Sequence, residues 1–317
     1  ATVNLGACKA VIEASAIYAG RREQFGRAIA EFPAVQQMLA RMAVRTFALE
    51  SVVYRTAGLL EERLAPFRDG SQTEDFASVA DALGEYAVEA AANKVLGSET
   101  LASVADDGVQ VHGGLGFIRG SEVERAYRDA RISRIFEGTN EINRLFVAGT
   151  LLRRSDSGSL PLAEAIERAS SEPSPPDDAS KGHGVGYARA RDLKRASLLV
   201  AGAAIERYGD RLGSEQEASA AVAEMVILAY AVESVLLRAA QAADDAGEES
   251  SARVQALAAL FTDWAFQKAD HTARRAMAGL RQGAELESEL ARLDRLLRHT
   301  PANQVELGRS VARDILS

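Results

Sequence analysis

The stretch Arg134–Arg144, RIFEGTNEINR, sets one carboxylate, Glu137, between a bulky aromatic, Phe136, and the pair Gly138-Thr139. Thr139 or Asn140 is a good helix cap, so a helix is expected to open here and run to about Arg154. An acid at such a start is either a first-turn charge favoured by the helix dipole or a base aimed into an apolar slot. Glu141, four residues on, is the internal control: the same residue type on what reads as an ordinary helix.

Working outward, the pattern is helical nearly throughout. Leu5, Cys8, Val11 and Ile12 recur at helical spacing and predict a helix up to about Arg22, ended by Phe25-Gly26. Pro33 suits the first turn of a second helix. Val35, Leu39, Met42, Leu49 and Val53 give it one apolar face, lasting to the APFRDG region. A third helix is predicted over about 75–105, followed by irregular backbone at the glycine-rich QVHGGLGFIRG, and a short helix from Glu122. Between 155 and 186 the composition turns to Ser, Pro, Gly and Asp, which predicts a linker or mobile loop. Beyond it three or four amphipathic helices are expected, with apolar faces such as Val222, Val226, Ala229, Val232 and Leu236. The fold class is therefore all-α, with one helical unit over 1–154 and a second over 187–317.

Composition narrows the function. The 317 residues include 47% apolar side chains and only seven prolines, and the formal net charge is −8. No basic stripe is visible, which argues against nucleic acid as a partner. One cysteine, Cys8, excludes a disulfide framework and fits a reducing compartment. The four histidines, at 112, 183, 271 and 299, make no metal-ligand spacing, so no metal site is expected. The longest apolar run, MVILAYAV at 225–232, is closed by Glu224 and Glu233. No strand–turn–helix unit surrounds GGLG, so it is not a dinucleotide fingerprint.

Three motifs then converge. YAGRREQFGRAIAEFPAVQQMLARM, QVHGGLGF and VERAYRDARISRIFEGTNEINRLFVA follow one another in order, with 27 residues from Gln110 to Glu137. Together they resemble the C-terminal helical domain of the flavin-dependent acyl-CoA dehydrogenases. The helical extension after a loose linker resembles, by its layout, the very-long-chain subgroup. The resemblance implies α,β-dehydrogenation of a fatty acyl-CoA, FAD as cofactor and an electron-transfer flavoprotein as partner. It also implies a homodimer and possible peripheral contact with a membrane, in the bacterial cytoplasm or the mitochondrial matrix.

Residue by residue, the resemblance makes Glu137 the base that removes the α-proton, with its backbone N–H helping to polarise the thioester carbonyl. A carboxylate in water is too weak for this task, so the base must be desolvated and the enolate charge stabilised. Phe136 is expected to wall the slot, Gly138 to let the backbone pass close to substrate, and Thr139 to donate a hydrogen bond to the flavin. Glu141 is given a flavin-edge or solvated role. Arg22, Gln24 and Phe25 are implied against the pyrophosphate and adenosine of an FAD bound mainly by the neighbouring subunit. Gln24 stands where relatives often have Ser or Thr. Phe32 and Gln36 lie along the same surface, and Gln110, Gly113 and Gly114 are placed beside the adenylate end. His112 is expected to be structural or solvated. Arg134 and Arg144 are expected to pair with Glu122, Glu124 or Asp129.

The sequence begins at Ala1 inside a helical pattern, and the family's N-terminal helical and middle β domains have no counterpart here. The expectation is a fragment, inactive in isolation. Two alternatives stand beside this reading: an acyl-CoA oxidase, which shares the fold, and a non-catalytic helical module for dimerisation or membrane docking.

Overall fold

The computed structural model describes residues 1–69, 75–171, 184–245 and 247–317. Helix α1 (Thr2–Arg21) buries Leu5, Cys8, Val11, Ser15 and Ala19, a stripe three or four residues apart. It ends where Arg22 turns extended and the chain makes a small antiparallel hairpin, β1 (Glu23–Gln24) and β2 (Arg27–Ala28). A 3-10 turn at Ile29–Glu31 leads into α2 (Pro33–Arg68), with Pro33 in its first turn. This helix ends at Arg68, inside the APFRDG region expected to end it. Pro66 sits inside the last turn, and the buried ring of Phe67 keeps that turn on the core.

The single helix expected over 75–105 is two. Asp75 caps α3 (Phe76–Glu85) by accepting from the Ser78 N–H at 3.0 Å. Tyr86 then leaves the helical region at ψ 24°, and α4 (Ala87–His112) begins. Helix α4 also extends beyond the expected end. Gln110, Val111 and His112 are helical rather than irregular, because Val111 still buries its side chain in the core. The break falls at Gly113, whose φ of +58° lies in the left-handed region. A four-residue turn, α5 (Gly114–Phe117), precedes α6 (Glu122–Ser133) and α7 (Asn140–Asp156).

Within the stretch expected to be a linker, Leu162–Ser171 forms helix α8, with Ala169 buried in the core. Residues 155–156 still belong to α7 and 184–186 already open the next helix, while 172–183 lie outside the described residues. Helices α9 (Gly184–Tyr208), α10 (Gln216–Asp245), α11 (Glu248–Leu280), α12 (Gly283–Leu297) and α13 (Gln304–Leu316) follow, five rather than three or four. Apart from the hairpin, every regular element among the described residues is helical.

Helix α2 has two apolar faces. Leu39, Met42 and Leu49 pack with α1 and α4, whereas Ala40, Val44, Phe47, Ala48 and Val52 join a core that runs through α9, α10 and α11 to α13. Helix α13 closes over α2, and Ile315 touches both cores. By length and composition α10 is apolar enough to cross a membrane, yet 61% of its most apolar window is buried in the protein, as expected of a core helix. The sole thiol, Cys8, is fully buried, and burial pushes it up to about 12.

Candidate active site and nucleotide-facing surface

The loop between α6 and α7 carries the candidate base. Glu137 is one of two non-glycine residues with positive φ among the described residues, at +55°, and Gly138 follows at +79°. For a residue with a Cβ the left-handed region costs roughly 1–2 kcal/mol. The conformation is held by the carbonyls that follow it. Asn143 Nδ2 donates to the carbonyls of Gly138 at 2.9 Å and Thr139 at 3.0 Å. From α4, Lys94 Nζ donates to the Gly138 carbonyl at 2.5 Å and to Asn140 Oδ1 at 2.8 Å. Asn140 is 3% exposed and also accepts from Ser98 Oγ at 3.0 Å, while its Nδ2 donates to Glu99 at 3.2 Å.

Glu137 itself is exposed, and Phe136 beside it is half-exposed. The apolar slot expected around the base is therefore not built by this chain alone. A Cβ on Gly138 would lie 3.1 Å from Asn143 Nδ2, so the backbone approach is as tight as its glycine implies. Thr139 is the helix cap: its hydroxyl oxygen accepts from the Ile142 N–H at 3.2 Å. The Glu141 backbone N–H and then the Thr139 hydroxyl hold the Glu141 carboxyl below its ordinary value. Burial pulls the Lys94 ammonium down, against the opposing charges of Glu137, Glu141 and Glu99.

The second group sits around the hairpin. Phe25 is the other positive-φ residue, at +54°, and with Gly26 at +82° it forms a two-residue turn of the type hairpins favour. Its ring is 93% exposed. The neighbouring Phe32 is already covered: Phe25 meets its edge at 6.2 Å between centroids, and the Arg27 guanidinium lies 4.2 Å above its face. Gln36 donates to the Ala30 carbonyl at 2.9 Å and braces the 3-10 turn, while Gln24 donates to the Glu23 carbonyl at 2.8 Å. Arg22 is exposed, and no hydrogen bond or ion pair of its guanidinium is found among the described residues.

Gln110, Gly113 and Gly114, at the C-terminal end of α4, are exposed, and a Cβ on either glycine would meet nothing within 4 Å. They adjoin the end of α1, because Tyr18 and His112 stack with centroids 4.4 Å apart. The His112 Nδ1 lies 2.8 Å from the Gly108 carbonyl, so this histidine is structural as expected. An open groove of about 650 Å³ runs here between Tyr18, Arg21, His112 and Arg119.

The two groups are brought to opposite parts of α4. Lys94 contacts the Glu137 loop, and Gln110 lies 16 residues further along. At 1.5 Å per residue that separation is about 24 Å. The candidate base and the exposed hairpin surface are therefore not one compact pocket.

One expectation fails outright. Arg144 does not pair with Glu122, Glu124 or Asp129 but with Glu99 at 2.8 Å and Glu224 at 2.6 Å. Glu124 pairs instead with Arg128 on its own helix. Reasoning from the sequence also missed Lys94, Asn140 and Asn143. Both asparagines stand inside the quoted stretch, and two short amides just after the Gly-Thr pair were the available signal.

With this geometry in view, comparison with known proteins is informative. Two family models, both described as acyl-CoA dehydrogenase, C-terminal domain, match residues 1–152 and 192–295. A probable acyl-CoA dehydrogenase of Bacillus subtilis (strain 168) is 40% identical over 314 residues, 98% of this chain and 53% of that protein. The crystal structure of an acyl-CoA dehydrogenase complexed with FAD from Bacillus anthracis superposes with a TM-score of 0.92 at 39% identity. That match covers 99% of this chain and 54% of that one. The very long-chain specific mitochondrial enzyme of Rattus norvegicus is 38% identical over 143 residues, 45% of this chain and 19% of that protein. The chain belongs to the acyl-CoA dehydrogenase family. It spans about half the length of the two Bacillus proteins, and those matches run through both helical units, whereas the rat match covers less than half of this chain.

Proposed function

We propose that this chain is the C-terminal part of an FAD-dependent fatty acyl-CoA dehydrogenase acting on long or very long chains, with residues 1–154 carrying the site and 187–317 a helical extension. The observation that carries the reading is the Glu137-Gly138 turn: an acid in a costly left-handed conformation, braced from three side chains, at the position the family resemblance gives to the base. Natural chains keep such strain where it serves a site.

The surface around the hairpin fits a dinucleotide. It offers an exposed guanidinium at Arg22 for phosphate, a bare ring at Phe25 for stacking, and open backbone at Gly113 and Gly114. Arg22, Gln24, Phe25, Gln110, Gly113 and Gly114 would hold FAD, with Phe32 and Gln36 supporting the turn beneath. Bound FAD supplies the hydride acceptor. The separation of about 24 Å along α4 favours a homodimer in which this surface holds the adenosine end of the flavin served by the partner's base.

Glu137 takes the α-proton onto its carboxylate. Phe136 supplies one apolar wall, and the remaining enclosure comes from parts of the protein outside this chain. Thr139 keeps α7 capped through its oxygen, which leaves its proton to be redirected from Glu141 to a bound acceptor. The electron acceptor downstream is an electron-transfer flavoprotein on this reading. An acyl-CoA oxidase would instead release hydrogen peroxide during aerobic turnover.

The test is anaerobic titration of the full-length protein with acyl-CoAs of graded length, followed by loss of flavin absorbance. Glu137→Gln is expected to retain FAD and to slow flavin reduction by about 10²- to 10⁴-fold, the usual worth of a positioned base. Undiminished reduction would place the base elsewhere, and a full-length protein that binds no flavin would overturn the enzyme reading altogether.

A further inference from the structure

The hydrogen bonds that hold the Glu137 turn do not stop at α4 and α7. Asn140 Nδ2 donates to Glu99 Oε1, and Arg144 Nη2 reaches the same oxygen at 2.8 Å. The Arg144 guanidinium also donates to Glu224 Oε2 from Nε at 2.9 Å and from Nη2 at 2.6 Å. Glu224 belongs to α10, and its other oxygen pairs with Lys268 of α11. The Lys268 ammonium lies 5.4 Å from the centre of the Trp264 ring.

A chain of charge-assisted contacts thus runs from the Gly138 carbonyl through Lys94, Asn140, Glu99, Arg144 and Glu224 to Lys268. It crosses from the first helical unit into the extension. Glu224 is 9% exposed and the Arg144 side chain 15%, so water competes little for these bonds. Removing one partner of a buried pair leaves the others charged and unsatisfied. The extension therefore has a relayed hold on the turn, through an unbroken series of side-chain contacts.

We propose that Glu224 is a positioning residue for Glu137: through Arg144, Glu99, Asn140 and Lys94, the extension fixes the backbone of the turn that presents the base. This rests on the reading of Glu137 given above for its catalytic consequence, and on the contacts alone for its structural one.

The full-length flavoprotein allows both to be measured. In Glu224→Gln, the rate of anaerobic flavin reduction per bound flavin is expected to fall about tenfold or more, with the acyl-CoA concentration for half-saturation little changed. Glu224→Asp, which keeps the charge, should recover part of that rate. Hydrogen exchange of the 134–144 segment should quicken in Glu224→Gln and not in Glu224→Asp. If Glu224→Gln fails to fold, Lys268→Met leaves the Arg144–Glu224 pair in place and should shift both readouts in the same direction by a smaller factor.

A folded, flavin-loaded Glu224→Gln with normal reduction and unchanged exchange over 134–144 would overturn the proposal. So would a variant that only melts earlier while reducing its flavin at the normal rate. If Glu137→Gln reduces normally while exchange still quickens in Glu224→Gln, the base assignment fails and the structural hold stands.

Discussion

Phe25 and Glu137 pay the same backbone cost in opposite settings. Phe25 stands on a two-residue hairpin turn with its ring almost wholly in solvent, touched chiefly by the edge of Phe32. Glu137 stands on a turn whose neighbouring carbonyls are gripped by Lys94 and Asn143, with the buried amide of Asn140 behind them. Strain held only by a short hairpin suits a surface whose partner arrives from outside. Strain with support at the loop suits a group whose direction must be fixed before anything binds. The difference separates a contact from a tool.

Asn140→Ala attacks the supported side hardest. It removes one hydrogen bond each from Lys94, Ser98 and Glu99 behind the turn, and a loss of about 1–2 kcal/mol of stability is expected. Urea unfolding of the full-length protein measures it, and a loss within error would mean that the brace is ornamental. Gly138→Ala comes next. A Cβ at φ +79°, and 3.1 Å from Asn143 Nδ2, should cost roughly 1–2 kcal/mol and slow flavin reduction as the turn shifts. Phe25→Gly works in the other direction: it relieves about 1 kcal/mol of strain, so the flavin-free protein should melt higher while FAD is retained less well. Thermal melts with and without added FAD separate those effects, and unchanged retention would remove Phe25 from the nucleotide surface.

The pH dependence sharpens the comparison further. Burial acts to raise the Glu224 carboxyl, but Lys268 and Arg144 outweigh it and hold the group below its ordinary 4.5. Near that ordinary value the unfolded chain binds more protons than the folded one. The stabilisation is thus complete above pH 4.5 and lost as pH falls through the folded value. Glu50 and Glu233, each beside two cations, contribute with the same sign. Stability measured against pH should fall less steeply on the acid side in Glu224→Gln than in the parent. The smallest effect expected is at Cys8, whose buried thiol should resist alkylation at pH 8 until the protein unfolds.

What the sequence made legible was local. Pro33 marked the start of α2, Thr139 the cap of α7, and the apolar spacing of α1 its buried face. These rest on forces acting within a turn or two of helix. Gly138 advertised an unusual backbone, whereas the same conformation at Glu137 is imposed by partners and left no mark of its own. The end of α4 was missed for a related reason: Val111 keeps the helix going by packing, and Gly113 alone, not the glycine run, breaks it. Arg144 and Glu224 lie 80 positions apart, and with 45 acids in the chain nothing in local pattern selects that pair. Tertiary contact chooses it, which is why the expected partners on α6 were wrong.

Helix α2 has a further consequence. Because Val44 and Phe47 sit in one core and Leu39 and Met42 in the other, neither core can be dismantled without exposing a face of the same rod. Composition draws a seam near residue 155, but heat should not find it there. Calorimetry of the full-length protein is expected to show the two helical units melting in one endotherm, with Val44→Ala and Leu39→Ala lowering the same transition. An inherited boundary and a boundary of cooperativity are different things, and in this chain a single helix keeps them apart.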